Sequence, residues 1–190
     1  MALLAGCAEN PAKPPATTSS YTAPSGGPTA RLLVRVNHLG GRYSISTFDQ
    51  PVGCSLRREF TSATAREPES QAFVLAANKL QTLSFLHVRA DRQACEVVLS
   101  FEAKAGNTYL MRNIANAEGC RVELFNATNA DAPTVERTRI RRERVGMGLN
   151  DNACKPLMST VRPRDAAGSP DSRDAKLDAL EPFIQLLPGK

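Results

Sequence analysis

The sequence predicts an all-β fold, an antiparallel β-sandwich, on three observations. Short β-prone runs recur at even spacing between Arg31 and Cys154, turn-forming residues separate them, and no convincing helical pattern falls between them. Strands this short bury one face each, so the stable arrangement is two sheets packed face to face. The runs are Arg31 to Asn37, Arg42 to Phe48, Val52 to Arg58, Ala72 to Ala76, Thr82 to Arg89, Cys95 to Phe101, Thr108 to Ile114, Arg121 to Asn126 and Thr134 to Val145. Gly40-Gly41, Gly53, Ala77-Asn78, Ala105-Gly106-Asn107 and Glu118-Gly119 punctuate them. Alternation is clearest where Cys95, Val97, Leu99 and Phe101 interleave with Glu96, Val98 and Ser100, the period of two of a half-buried strand.

Composition divides the rest. Residues 7–30 are rich in Pro, Ala, Ser, Thr and Gly and read as a tether, because such a segment buries too little apolar surface to offset its ordering entropy. From Ala8 to Ala30 it spans at most about 80 Å when extended. Residues 31–154 hold the sandwich, and 155–190 read as a flexible tail. Late in that tail Leu177, Leu180, Ile184 and Leu187 follow helical spacing around Pro182. No apolar run approaches the length needed to cross a bilayer.

The string Leu4-Ala5-Gly6-Cys7 resembles the lipobox of bacterial lipoproteins. The resemblance implies that residues 1–6 are the remnant of a signal peptide and that Cys7 becomes the lipid-modified first residue of the mature chain. Each buried methylene then contributes roughly 0.8 kcal/mol, and several acyl chains make a stable anchor. Ala8 after the cysteine implies sorting to the outer membrane of a diderm bacterium. Met1 to Leu4 supplies neither a basic n-region nor a full apolar stretch, so further in-frame residues are expected upstream. The alternative is a chance match in a cytoplasmic basic domain.

The chain has 5 cysteines. With Cys7 assigned to lipid, Cys54, Cys95, Cys120 and Cys154 form an even set suited to two disulfides in an oxidising compartment. Their wide spacing disfavours a zinc site, and free buried thiols are the cytosolic alternative. Phe101-Glu-Ala-Lys-Ala-Gly106-Asn-Thr-Tyr109 resembles the corner of immunoglobulin-like and transthyretin-like sandwiches, where a Tyr hydroxyl bonds backbone upstream as the chain changes sheets. Met111 and the absence of Trp depart from a true immunoglobulin domain. Three pairings of the four cysteines are possible. A corner that changes sheets favours Cys95 with Cys120 and Cys54 with Cys154; a plain meander disfavours it.

Catalytic chemistry has little purchase. His38 and His87 are the only histidines and sit in no acid, nucleophile or metal motif. Nucleophile-elbow, phosphate-loop and zinc-protease patterns are all missing. No cofactor is expected. Residues 31–154 carry 17 Lys or Arg against 13 acids, and 15 of the 17 are Arg. Arg137, Arg139, Arg141, Arg142 and Arg144 concentrate that charge. On a strand, Arg137, Arg139 and Arg141 line one face and Arg142 and Arg144 the other. They read either as a solvated edge blunted by charge or as a site for phosphate or carboxylate through guanidinium forks. An accompanying aromatic platform is lacking, so nucleic acid is not expected.

These readings converge on an outer-membrane lipoprotein acting as a non-catalytic binding or accessory component of the cell envelope. Its membrane contact is the Cys7 anchor, and its partner an envelope protein, peptidoglycan or lipopolysaccharide. The rival is an enzyme that processes envelope polymers.

Overall fold

Along Thr29–Val36, Ala30, Leu32, Val34 and Val36 turn inward and are at most 2% exposed, the two-residue period that a half-buried strand imposes. The same logic repeats down the chain in the computed structural model, which describes residues 19–37, 40–65, 69–116, 119–145 and 153–157. Cys7, His38, the tail pattern from 177 to 187 and the first half of the segment read as a tether lie outside them.

Twelve strands occur among the described residues: β1 (Ser19–Ser20), β2 (Thr29–Val36), β3 (Gly41–Gln50), β4 (Ser55–Ala65), β5 (Glu69–Ala76), β6 (Lys79–Arg89), β7 (Ala94–Ala103), β8 (Thr108–Asn116), β9 (Gly119–Asn126), β10 (Thr134–Val135), β11 (Ile140–Val145) and β12 (Ala153–Pro156). They build a seven-stranded sheet, β1-β4-β3-β6-β7-β11-β12, and a five-stranded sheet, β10-β9-β8-β2-β5. Pairing is antiparallel except for β1 with β4 and β2 with β8. The architecture is the expected all-β sandwich. Leu32, Val34, Leu75, Tyr109, Met111 and Leu124 of one sheet meet Tyr43, Ile45, Leu83, Phe85, Leu99 and Phe101 of the other. Each fully buried large side chain contributes about 1.5 to 3 kcal/mol. Gly41 is fixed by close approach, because a Cβ there would run into the Val88 carbonyl oxygen.

The segment around Gly106 carries the chain from β7 in one sheet to β8 in the other. Gly106 takes φ +75°, a conformation a residue with a Cβ adopts at a cost. The Tyr109 hydroxyl accepts from the Lys104 N–H at 2.9 Å and donates to the Glu102 carbonyl at 3.3 Å, while its ring packs 4.8 Å from Phe101. This crossing puts the starts of β7 and β9 on opposite sheets, and Cys95 joins Cys120 there. Cys54 joins Cys154 across 100 residues, tying the turn before β4 to the edge strand β12.

Among the boundaries that differ from the sequence reading, three have a clear physical reason. The run read as Val52 to Arg58 is a turn through Cys54 followed by a longer strand to Ala65; Cys54 and Leu56 take left-handed φ of 54° and 57°, which breaks the extension. The run read as Thr134 to Val145 is two strands, β10 in the smaller sheet and β11 in the larger, because the chain changes layers between them. Pairing also begins inside the supposed tether, where Ser19–Ser20 lies parallel to Arg58 and Glu59. The Tyr21 ring packs 4.3 Å from Phe60, itself 4.7 Å from Phe73, so one aromatic residue anchors a segment that composition marks as linker.

Candidate functional site

The two sheets turn very different outer faces to their surroundings. On the larger sheet, register lines up Ser46, Ser84, Val98 and Arg142 in one row across β3, β6, β7 and β11, and Thr82, Ser100 and Ile140 in the next. Ser46, Thr82, Ser84 and Ser100 are all 0% exposed although they point away from the main core. Buried hydroxyls need partners, and here they have them. Arg57 reaches in from β4 to donate to Ser46 at 2.9 Å and Ser84 at 3.1 Å. Ser84 donates to Glu96 at 2.5 Å. Glu96 also bridges Arg57 at 3.5 Å and Arg144 at 2.6 Å.

A second group of polar contacts continues from it. Thr82 donates its only hydroxyl proton to the Pro51 carbonyl at 2.7 Å, so in its 2.6 Å contact with Ser100 the Ser100 hydroxyl is the donor. Arg142 completes the chain by donating to Ser100 and, at 2.8 Å, to the Val52 carbonyl. Burial lowers the affinity of the Arg142 guanidinium for its proton. At Arg57 burial does the same most strongly, Glu96 opposes it, and neighbouring Arg144 adds to it. Phe48, Val98 and the Cys54–Cys154 bridge form an apolar cluster on the same face. The serines here are inaccessible and committed as hydrogen-bond partners, an arrangement suited to locking a turn onto a sheet and not to nucleophilic attack.

This accounts for two of the five arginines singled out by sequence. Arg142 and Arg144 share one face of β11, as strand periodicity predicts, but they point into the network. Arg137 and Arg139 lie in the connection between β10 and β11, outside any strand, and Arg141 is exposed. The edge of the sheet is β12, beyond β11, and it closes with Pro156, a residue that blunts edges. His87 is buried on β6 between Tyr43 and Cys95 in register. Among the described residues no group of three or more His, Cys, Asp or Glu side chains is placed to hold a metal ion, and no helix is long and apolar enough to cross a membrane.

The smaller sheet presents a different surface. Val135, Phe125, Leu110, Leu33 and Ala72 stand opposite one another in a single row crossing all five strands. Leu33 and Leu110 are buried with Ala127, and Phe125 and Ala130 pack against them. Val135 and Val74 remain 46% and 40% exposed at the two margins of the face. Arginines flank the apolar row: Arg31 beside Val74 on one side, and Arg35, Arg112 and Arg121 on the other. Strand positions on this face supply four arginines and one carboxylate, Glu123.

Arg112 holds Glu123 at 2.6 Å and lies 5.7 Å from the Phe125 ring centroid. Arg121 reaches the other Glu123 oxygen at 3.2 Å. Arg35 and Arg112 are direct partners in the parallel β2–β8 pair, a like-charge opposition that destabilises a sheet unless anions offset it. Arg31 and Arg35 make interactions of their own. Sequence reasoning passed over this face because its charge is scattered over three strands, β2, β8 and β9. The available signal was the alternation of Arg31, Leu33 and Arg35, which puts both arginines on one side of β2.

Compared with models of known protein families and with curated protein sequences, the chain matches none.

Proposed function

We propose that this protein is a lipid-anchored, non-catalytic binding module of the bacterial cell envelope, attached through Cys7 to the periplasmic face of the outer membrane. The observation that carries the reading is the cysteine pairing. Two bridges use Cys54, Cys95, Cys120 and Cys154, which fits an oxidising compartment and leaves Cys7, in Leu4-Ala5-Gly6-Cys7, as the fifth cysteine. A binding role is favoured over catalysis because the polar groups gathered on the larger sheet are buried and already paired, whereas the accessible chemistry includes the partly exposed guanidiniums of the smaller sheet. Labelled palmitate incorporation, measured on the protein expressed from its own chromosomal locus, tests the anchor. The native chain should be labelled and Cys7→Ala should not; equal labelling of both, or none in either, refutes it.

A further inference from the structure

We infer that the outer face of the five-stranded sheet, centred on Arg31, Arg35, Arg112 and Arg121, rests against anionic phospholipid headgroups of the bilayer that holds the anchor. The inference rests on the Cys7 reading for the origin of the tether, and two structural observations carry it further.

The first is where the tether docks. Strand pairing starts at Ser19, only 12 residue steps after Cys7, which reach at most about 43 Å and about 20 Å as a coil. A domain of this size has a radius of gyration of about 13 Å, so the side on which Ser19 docks stays within reach of the lipid surface. From there the path to the arginines is short. The Tyr21 hydroxyl donates to the Val74 carbonyl of β5 at 2.7 Å, and Val74 stands opposite Arg31. The tether therefore ends beside the margin of the basic face and away from the β11–β12 edge.

The second is the chemistry of the face. A buried apolar row is flanked by guanidiniums and ends in exposed Val74 and Val135. Long cationic side chains over an apolar floor match a headgroup region, where the charge meets phosphate and the stems lie against less polar surface. Guanidinium forks suit phosphate geometry.

The test uses the full chain carrying Cys7→Ser, so that no acyl chain contributes, and vesicles of phosphatidylcholine with or without phosphatidylglycerol. Co-sedimentation should occur with the anionic vesicles alone and weaken as salt rises. Arg31→Gln and Arg121→Gln should each lower partitioning about fivefold. Glu123→Gln, which removes the one carboxylate among the described strand positions of the face, should raise it several-fold. Arg139→Gln with Arg141→Gln, at the other margin of the domain, should change it less than twofold. Unchanged partitioning in the Arg31→Gln/Arg121→Gln double variant, equal binding to neutral vesicles, or loss of binding only at Arg139 and Arg141 overturns the inference. Urea melts of each variant separate misfolding from lost contact. Failure of palmitate labelling with arginine-dependent vesicle binding intact breaks the anchor reading; labelling without arginine dependence breaks the face assignment alone.

Discussion

Each outer face of the sandwich carries a glutamate shared by two arginines, and the two triads do opposite work. Glu96 lies between Arg57 and Arg144 with all three side chains 15 to 17% exposed. Glu123 lies between Arg112, 21% exposed, and Arg121, 64% exposed. Around Glu96, the buried Ser46 and Ser84 hydroxyls take up further hydrogen-bonding capacity. Around Glu123, Arg112 is engaged through two nitrogens while Arg121 stays mostly open to solvent. The same three residue types thus make a closed cluster where all three are shielded and a half-open one where the second arginine reaches solvent.

The clamp gives the largest way to break that contrast. Cys54→Ser with Cys154→Ser opens a loop with a sequence separation of 100, for which chain-entropy arguments give about 4.7 kcal/mol of lost stability. The left-handed Cys54 and Leu56 then lose the cross-link that holds their turn in place. Removing Cys95–Cys120, with its separation of 25, should cost about 3.5 kcal/mol on the same argument. Urea unfolding of the two double variants checks the order. A smaller loss at Cys54–Cys154 would mean that the turn is held by Arg142 and not by the bridge.

The triads themselves give the next test. Glu96→Gln removes the carboxylate that Arg57 and Arg144 share, leaving Glu59 to act on Arg57, and should destabilise by about 3 kcal/mol, the low end of losses on breaking buried pairs. Glu123→Gln should cost less, about 1 to 2 kcal/mol, because its pair with Arg112 is half-buried and only its pair with Arg121 lies in the exposed range. Equal losses in matched thermal melts would erase the distinction between the faces.

How much of this was legible in the sequence depends on whether the signal was local. Alternation around Val97 to Phe101, the Gly106–Tyr109 corner and the inter-sheet bridge that follows from it depend on residues a few positions apart, and the strand–corner–strand order was readable. The arginine count was readable too, but its meaning was not. Arg142 turns inward because Val98 and Ser100 of β7 and the Val52 carbonyl happen to face it, and none of these is near it in sequence. Arg31 and Arg112 share a face only because β2 and β8 pair in parallel, a long-range choice that periodicity does not encode. Tyr21 was hidden for the same reason, its partners Phe60 and Val74 lying far along the chain.

Tyr21 also supplies the smallest effect, at the point where the strap meets the basic face. Burial raises its phenol above the ordinary value of 10.0, and its hydroxyl must keep its proton to donate to Val74. In the unfolded chain the phenol ionises near pH 10. Between that pH and its higher folded value the unfolded state binds fewer protons, so stability falls as pH rises. The contribution is fully present below about pH 10 and lost as pH passes through the folded value. Amide hydrogen exchange at Ser20 and Tyr21, measured against pH with exchange at β8 as the internal reference, should show the strap loosening first. In Tyr21→Phe the strap should be looser at neutral pH and show no such extra loosening above pH 10 relative to β8. If the native strap keeps pace with β8 through that range, Tyr21 does not fasten it, and the tether's exit beside Arg31 loses its structural basis.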